Sequence, residues 1–146
     1  MAEPTRDMVL EELSQTECLR LLASHVVGRI AVVVDSQPVI LPVNYRADDA
    51  TIVFRTDAGT KLRGAAMAHV AFEIDEIDET THAGWSVVVQ GVGQDITETV
   101  DARSEALRVL AVAPWAPGDK AYWIKVVPRV LSGRSLRPRL ATDPPA

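Results

Sequence analysis

The run Ile52-Val53-Phe54-Arg55-Thr56-Asp57-Ala58-Gly59-Thr60-Lys61-Leu62-Arg63 holds the residues best suited to chemistry in this chain. Its first half reads as a strand, Gly59 permits an unusual backbone angle, and the second half reads as the start of a helix. Helix N-termini present unpaired amides and the positive end of a dipole, so they attract anions. Arg55, Lys61 and Arg63 add three cations, and Thr56 and Thr60 add hydroxyls. An ammonium at a helix start, as Lys61 would be, suits a phosphate dianion. Two readings stay open: a phosphate cradle, or an ordinary capped helix whose bases are solvated. The Gly-x4-Gly-Lys-Ser/Thr spacing of a nucleotide P-loop is absent.

Other reactive residue types do not assemble into motifs. His25, His69 and His82 are scattered, with no His-Glu-x-x-His or cysteine-pair spacing, so no metal is expected. No Gly-x-Ser-x-Gly elbow occurs, and Cys18 reads as a core thiol in the first helix. Gly91-Val92-Gly93 lacks the third glycine of a dinucleotide fingerprint and reads as a bend or bulge in a strand. The acidic run from Glu73 to Glu79 reads as a solvated loop. No His, Glu or Asp is nominated by spacing as an essential acid or base, and catalytic residues remain unassigned.

These residues must be positioned by a single domain, since 146 residues with 47% hydrophobic and 24% charged content suit one globular core. About 1–12 and 135–146 read as tails. Aromatics supply only 5%, so valine, isoleucine and leucine must fill the interior. One cysteine precludes an internal disulfide and points to a reducing compartment. The N-terminus lacks a basic, apolar leader, and no run approaches the roughly 18 apolar residues of a membrane span. A cytoplasmic location is expected. The net charge of −5 argues against a general nucleic-acid binder. From Lys120 to Thr142, however, six bases occur without an acid. Such a stretch can bind an anion, pair with an acidic surface, or simply be solvated.

Ser14-Gln15-Thr16-Glu17 forms a capping box for a helix running to about Ser24. Val26–Val34 reads as a buried strand. Val39–Arg46 reads as a second strand, which Pro42 should force to bulge or lie at an edge. Thr51–Thr56 is a third strand, and Gly59–Ala68 a second helix. Strands at Val70–Asp75 and Trp85–Thr97 follow, then a helix capped by Asp101 and running to about Val112. Tyr122–Val127 is the last strand. This pattern predicts a mainly β chain with short helices, folded as a six-stranded antiparallel barrel.

The series Pro42-Val43-Asn44-Tyr45, Ile52 to Leu62, Val70-Ala71-Phe72-Glu73 and Gly84-Trp85-Ser86-Val87-Val88-Val89-Gln90-Gly91 resembles the pyridoxamine 5'-phosphate oxidase-like family. Members share the FMN-binding split β-barrel. The opening helix and Val27-Gly28-Arg29-Ile30-Ala31 also fit the branch that includes nitroimidazole-resistance-type proteins. The resemblance covers roughly Leu13 to Arg134.

What it implies is FMN held at the interface of a homodimer. The flavin phosphate would lie at Arg55-Thr56 and Gly59-Thr60-Lys61-Leu62. The ring would lie along Pro42, Val43, Asn44 and Tyr45, with Trp85 and Ser86 at its edge. Trp115 and Arg129 are candidates to reach a neighbouring subunit's cofactor, and Trp115 alternatively fills the dimer core. Ser135-Leu136-Arg137-Pro138-Arg139-Leu140 does not reproduce the family's substrate signature of tryptophan followed by Arg-Leu-x-Pro, so pyridoxine phosphate oxidation itself is not expected. The leading expectation is a flavin-dependent oxidoreductase acting on a small organic substrate. The alternatives are a deazaflavin-dependent reductase and a non-catalytic flavin- or haem-binding module.

Overall fold

The computed structural model describes residues 7–57 and 66–146. Seven strands and two helices follow one another as β1 Met8–Glu12, α1 Gln15–Ser24, β2 Val27–Val34, β3 Gln37–Asp48, β4 Thr51–Thr56, β5 Ala66–Ile77, β6 Gly84–Asp95, α2 Ala102–Arg108 and β7 Tyr122–Pro138. All pairings are antiparallel. The ring β7-β4-β3-β2-β5-β6 closes through a β6–β7 pairing, which gives the expected six-stranded barrel. The seventh strand, β1, is an addition to it.

β7 is long because it serves two partners on one edge. Tyr122–Val126 pairs with β4, and Arg134–Pro138 pairs with β1. The basic C-terminal stretch is therefore strand as far as Pro138, and the stretches read as tails are partly paired. Between those two ladders α1 fills the seam. Leu13 N–H donates to Gly133 O at 2.8 Å, and the Gln15 amide donates to Leu131 O at 2.9 Å. A Cβ on Gly133 would stand 2.7 Å from Cys18 Sγ, so only glycine lets the helix sit this close.

Ser14 caps α1 by accepting from Glu17 N–H. The reciprocal half of the capping box does not form, because the Glu17 carboxylate turns to Arg20 one turn on. Cys18, Leu21 and Leu22 are buried against the barrel. Inside lie Tyr45, Phe54, Phe72, Ile30, Ile52, Ile74, Val87, Val89, Ile124 and Val126. Each such side chain contributes about 1.5–3 kcal/mol by leaving water.

β2 is not buried on both faces as its composition suggests. Ile30 and Val32 point inward, while Val27 and Val33 point out, as the period-two geometry of a barrel wall requires. Asp35 and Ser36, both at positive φ, make the two-residue turn into β3. Pro42 lies where β3 pairs with β2 alone, since the β4 ladder reaches only to Tyr45 opposite Phe54. That is the edge position its missing N–H demands.

Gly91 marks the expected irregularity. Gln90 pairs with Val130 but Gly91 pairs with Pro128, leaving Arg129 as the extra residue of a β-bulge on β7. α2 is capped by Asp101, which accepts from Ser104 N–H and Ser104 Oγ. It ends at Arg108 rather than near Val112. Tight turns follow, and Val112 folds back into a small second core with Val53, Ile96 and Leu107.

Two further expectations change. Ala66, Met67 and Ala68 open β5 instead of closing a helix, and the rest of the Gly59–Ala68 helix lies outside the described residues. The acidic run is strand up to Ile77, with Glu73 and Asp75 on the outer wall. β5 carries it because Val70, Phe72 and Ile74 alternate with those carboxylates and fill the core.

Candidate functional site

Past Tyr45 and Phe54 the strands β3 and β4 part company, and a cleft opens between them. Leu41, Pro42, Val43 and Asn44 from β3 line it, with Arg55 and Thr56 from the end of β4. Pro114, Ala116 and Lys120 close it from the α2–β7 connection. The cleft holds about 170 Å³ as bounded by these residues. Five of the residues nominated from sequence thus meet in one place: Pro42, Val43, Asn44, Arg55 and Thr56.

Arg55 is held from several sides. Its Nε donates to Lys120 O at 2.9 Å and its Nη1 reaches Val112 O at 3.5 Å. Its guanidinium lies 5.1 Å from the Trp123 ring centroid, a cation–π contact with its cross-strand neighbour. Lys120 is gripped at its other end by Asp57. Asp57 Oδ1 accepts Lys120 N–H at 2.7 Å, and Oδ2 accepts the ammonium at 2.6 Å. These two hydrogen bonds hold the Asp57 carboxyl below the usual carboxylate range. Gly118 sits at φ +125°, and a Cβ there would strike the same carboxylate at 2.6 Å. On β3, Asn44 Oδ1 accepts Trp115 N–H at 2.8 Å.

The other nominated residues lie elsewhere. Tyr45 belongs to the core: its hydroxyl donates to Leu22 O at 2.7 Å, its ring packs edge-on against Phe72, and burial raises its pKa. Only its backbone is near the cleft. Gly59, Thr60, Lys61 and Leu62 lie outside the described residues. Trp85 and Ser86 line a separate cavity of about 460 Å³ with Glu73, Asp75, His82 and Arg134. Arg129, on its bulge, lines a third cavity with His69 and Gln90. Trp115 is 72% exposed in the single chain. No residue of the cleft lines either of the other two cavities.

Two constellations escaped the sequence. Asp57 and Lys120 are 63 positions apart, and Lys120 read only as one base among six. Glu73 and Asp75 fall within the strand expected at Val70–Asp75 as well as in the acidic run, and on β5 they share one face. Burial first, then Asp75, pushes the Glu73 carboxyl up to about 7 despite Arg29 at 3.5 Å. The i, i+2 spacing on a strand was the available signal.

A family model described as pyridoxamine 5'-phosphate oxidase matches residues 14–135. The chain belongs to that family. Within it, the chain is 30% identical over 138 residues to an uncharacterized protein of Mycobacterium tuberculosis, covering 90% of this chain and 89% of that one. The solved structure of an FAD binding protein from Mycobacterium smegmatis is 34% identical, with a TM-score of 0.63 and coverage of 87% of this chain and 98% of that one. An FAD-binding protein from Mesorhizobium loti superposes with a TM-score of 0.70 at 25% identity, covering 87% and 98% respectively. The split-barrel fold expected from the resemblance is therefore the observed one. No helix among the described residues is long and apolar enough to cross a membrane.

Proposed function

We propose that this family member binds a flavin mononucleotide moiety in the β3–β4 cleft and serves as a flavin-dependent oxidoreductase for a small organic substrate. The observation that carries the reading is the convergence of Pro42, Val43 and Asn44 with Arg55 and Thr56 on one cleft. The donor set fits the cofactor's chemistry. A guanidinium and a hydroxyl at the end of β4 suit a phosphate, and the amide and backbone of β3 suit the heteroatoms of a flat polar ring. Lys61 would add its ammonium to the phosphate. Bound flavin supplies hydride acceptance or donation, while the protein supplies orientation and electrostatics.

FAD is the second reading, favoured by the names of the two solved relatives. It contains the same mononucleotide, so the same cleft would serve, with the adenylate lying outside it. The chain is further proposed to act as a homodimer. Its outer wall exposes Val33 and Ile40 on adjacent strands beside Ala31, and contiguous apolar patches on small proteins mark partners. Val87 and Val89, by contrast, face the core and offer no patch. In a dimer, Trp85, Ser86, Trp115 and Arg129 would approach the cofactor of a second copy. The buried lone thiol of Cys18 suits the reducing cytoplasm.

Purified protein and its apo form, titrated with FMN, FAD and a deazaflavin while absorbance is recorded, test this reading. Stoichiometric binding of FMN or FAD is expected. A haem band, or a preference for the deazaflavin, would move the protein to one of the other classes.

A further inference from the structure

The segment Ala113–Lys120 crosses the cleft as a strap fastened at two points. At one end Trp115 N–H is held by Asn44 Oδ1. At the other, Lys120 is held by Asp57 through its N–H and ammonium and by Arg55 through its carbonyl. Between the fastenings the strap has little else to hold it. Residues 115–119 are all exposed in the single chain, its largest side chain, Trp115, among them. Segments with few buried contacts open at low cost. The two ends differ in strength. Lys120 is 15% exposed and charge-paired, whereas the Asn44 fastening is one neutral hydrogen bond. Beneath the strap the cleft measures about 170 Å³, below the roughly 300–1,000 Å³ of pockets that take cofactor-sized ligands.

We propose that the strap is a gate hinged at Lys120, and that Asn44 is its latch: the side-chain amide binds Trp115 N–H when the cleft is closed and the flavin ring when it is open. The inference rests on the flavin reading above. It follows from the direction one side chain can face. Asn44 now turns Oδ1 to the strap and Nδ2 to Val26 O at 3.4 Å, so rotating the amide toward the ring releases Trp115 N–H. Prolines at 114 and 117 stiffen the span between, so that it swings as a unit. Asp57 and Arg55 keep the hinge end in place.

Stopped-flow association of FMN with the full-length apo protein tests the gate, comparing wild type, Trp115→Ala and Trp115→Pro. Both variants lose the indole, but only the proline loses the N–H. Trp115→Pro should associate about three- to tenfold faster than Trp115→Ala, the range one neutral hydrogen bond commands. Amide hydrogen exchange on wild type gives a readout that needs no variant: Trp115 N–H should exchange faster with FMN bound than without. Equal association rates in the two variants, or slower Trp115 exchange on binding, would overturn the gate and leave the flavin reading standing. Flavin binding by none of the three proteins overturns both.

Discussion

Lys120 gives its backbone N–H and its ammonium to the two oxygens of one carboxylate, that of Asp57. It adopts φ +50° to do so, a region that costs a side-chain-bearing residue on the order of 1–3 kcal/mol. The carboxylate offsets that strain. Asp57→Asn removes the charge but not the shape. It should lower the urea midpoint of unfolding and weaken FMN binding, because Arg55, whose Nε bonds Lys120 O, loses the support of the clamp. A variant with unchanged midpoint and affinity would show that the clamp holds nothing.

Glu73 makes stability fall with rising pH. Its folded-state pKa, near 7, exceeds its ordinary value of 4.5. The native state therefore binds more protons than the unfolded state between those limits. Stability contributed by the protonated form is full below about pH 4.5 and is lost as pH rises through about 7. The side chain is one-third exposed, so solvent screening reduces the effect to about 1 kcal/mol. Glu73→Gln should flatten the slope between pH 5 and pH 8 and stabilise the protein at pH 8. Parallel slopes for variant and wild type would assign the proton elsewhere.

Sedimentation tests the dimer. Ile40 is 67% exposed at the centre of the outer apolar wall. Wild type should sediment as a dimer at micromolar concentration. Ile40→Glu buries a charge at the contact and should shift it to monomer, with loss of FMN affinity if the cofactor is shared. Wild-type monomer with FMN still bound contradicts both the dimer and the shared site.

The core makes its own prediction. Tyr45→Phe leaves Leu22 O without its 2.7 Å donor, which costs about 1–3 kcal/mol for a buried acceptor. Thermal unfolding should show the loss, and FMN affinity should not change, because the Tyr45 side chain faces away from the cleft.

Much of this molecule was legible because its signals are local. Ser14 and Asp101 announced α1 and α2 through their caps, and the β-branched runs in Thr51–Thr56 and Trp85–Gly91 announced strands. Pro42 announced an edge, and the edge became the cleft. What was missed depends on distance in sequence. β1 is five residues whose pairing partner lies beyond residue 133. The Asp57–Lys120 clamp joins residues 63 positions apart. The acidic run suggested that the strand stops at Asp75, and the inward Phe72 and Ile74 carry it on to Ile77.

Calorimetric titration of apo protein with FMN, in wild type, Arg55→Ala and Lys61→Ala, tests the central claim most directly. Charge-assisted contacts to a phosphate are worth roughly 1.5–3 kcal/mol each, so each variant should bind FMN about 10- to 150-fold more weakly than wild type. Wild type should take one FMN per chain. Wild-type affinity retained in both variants would place the phosphate away from the end of β4 and contradict the site.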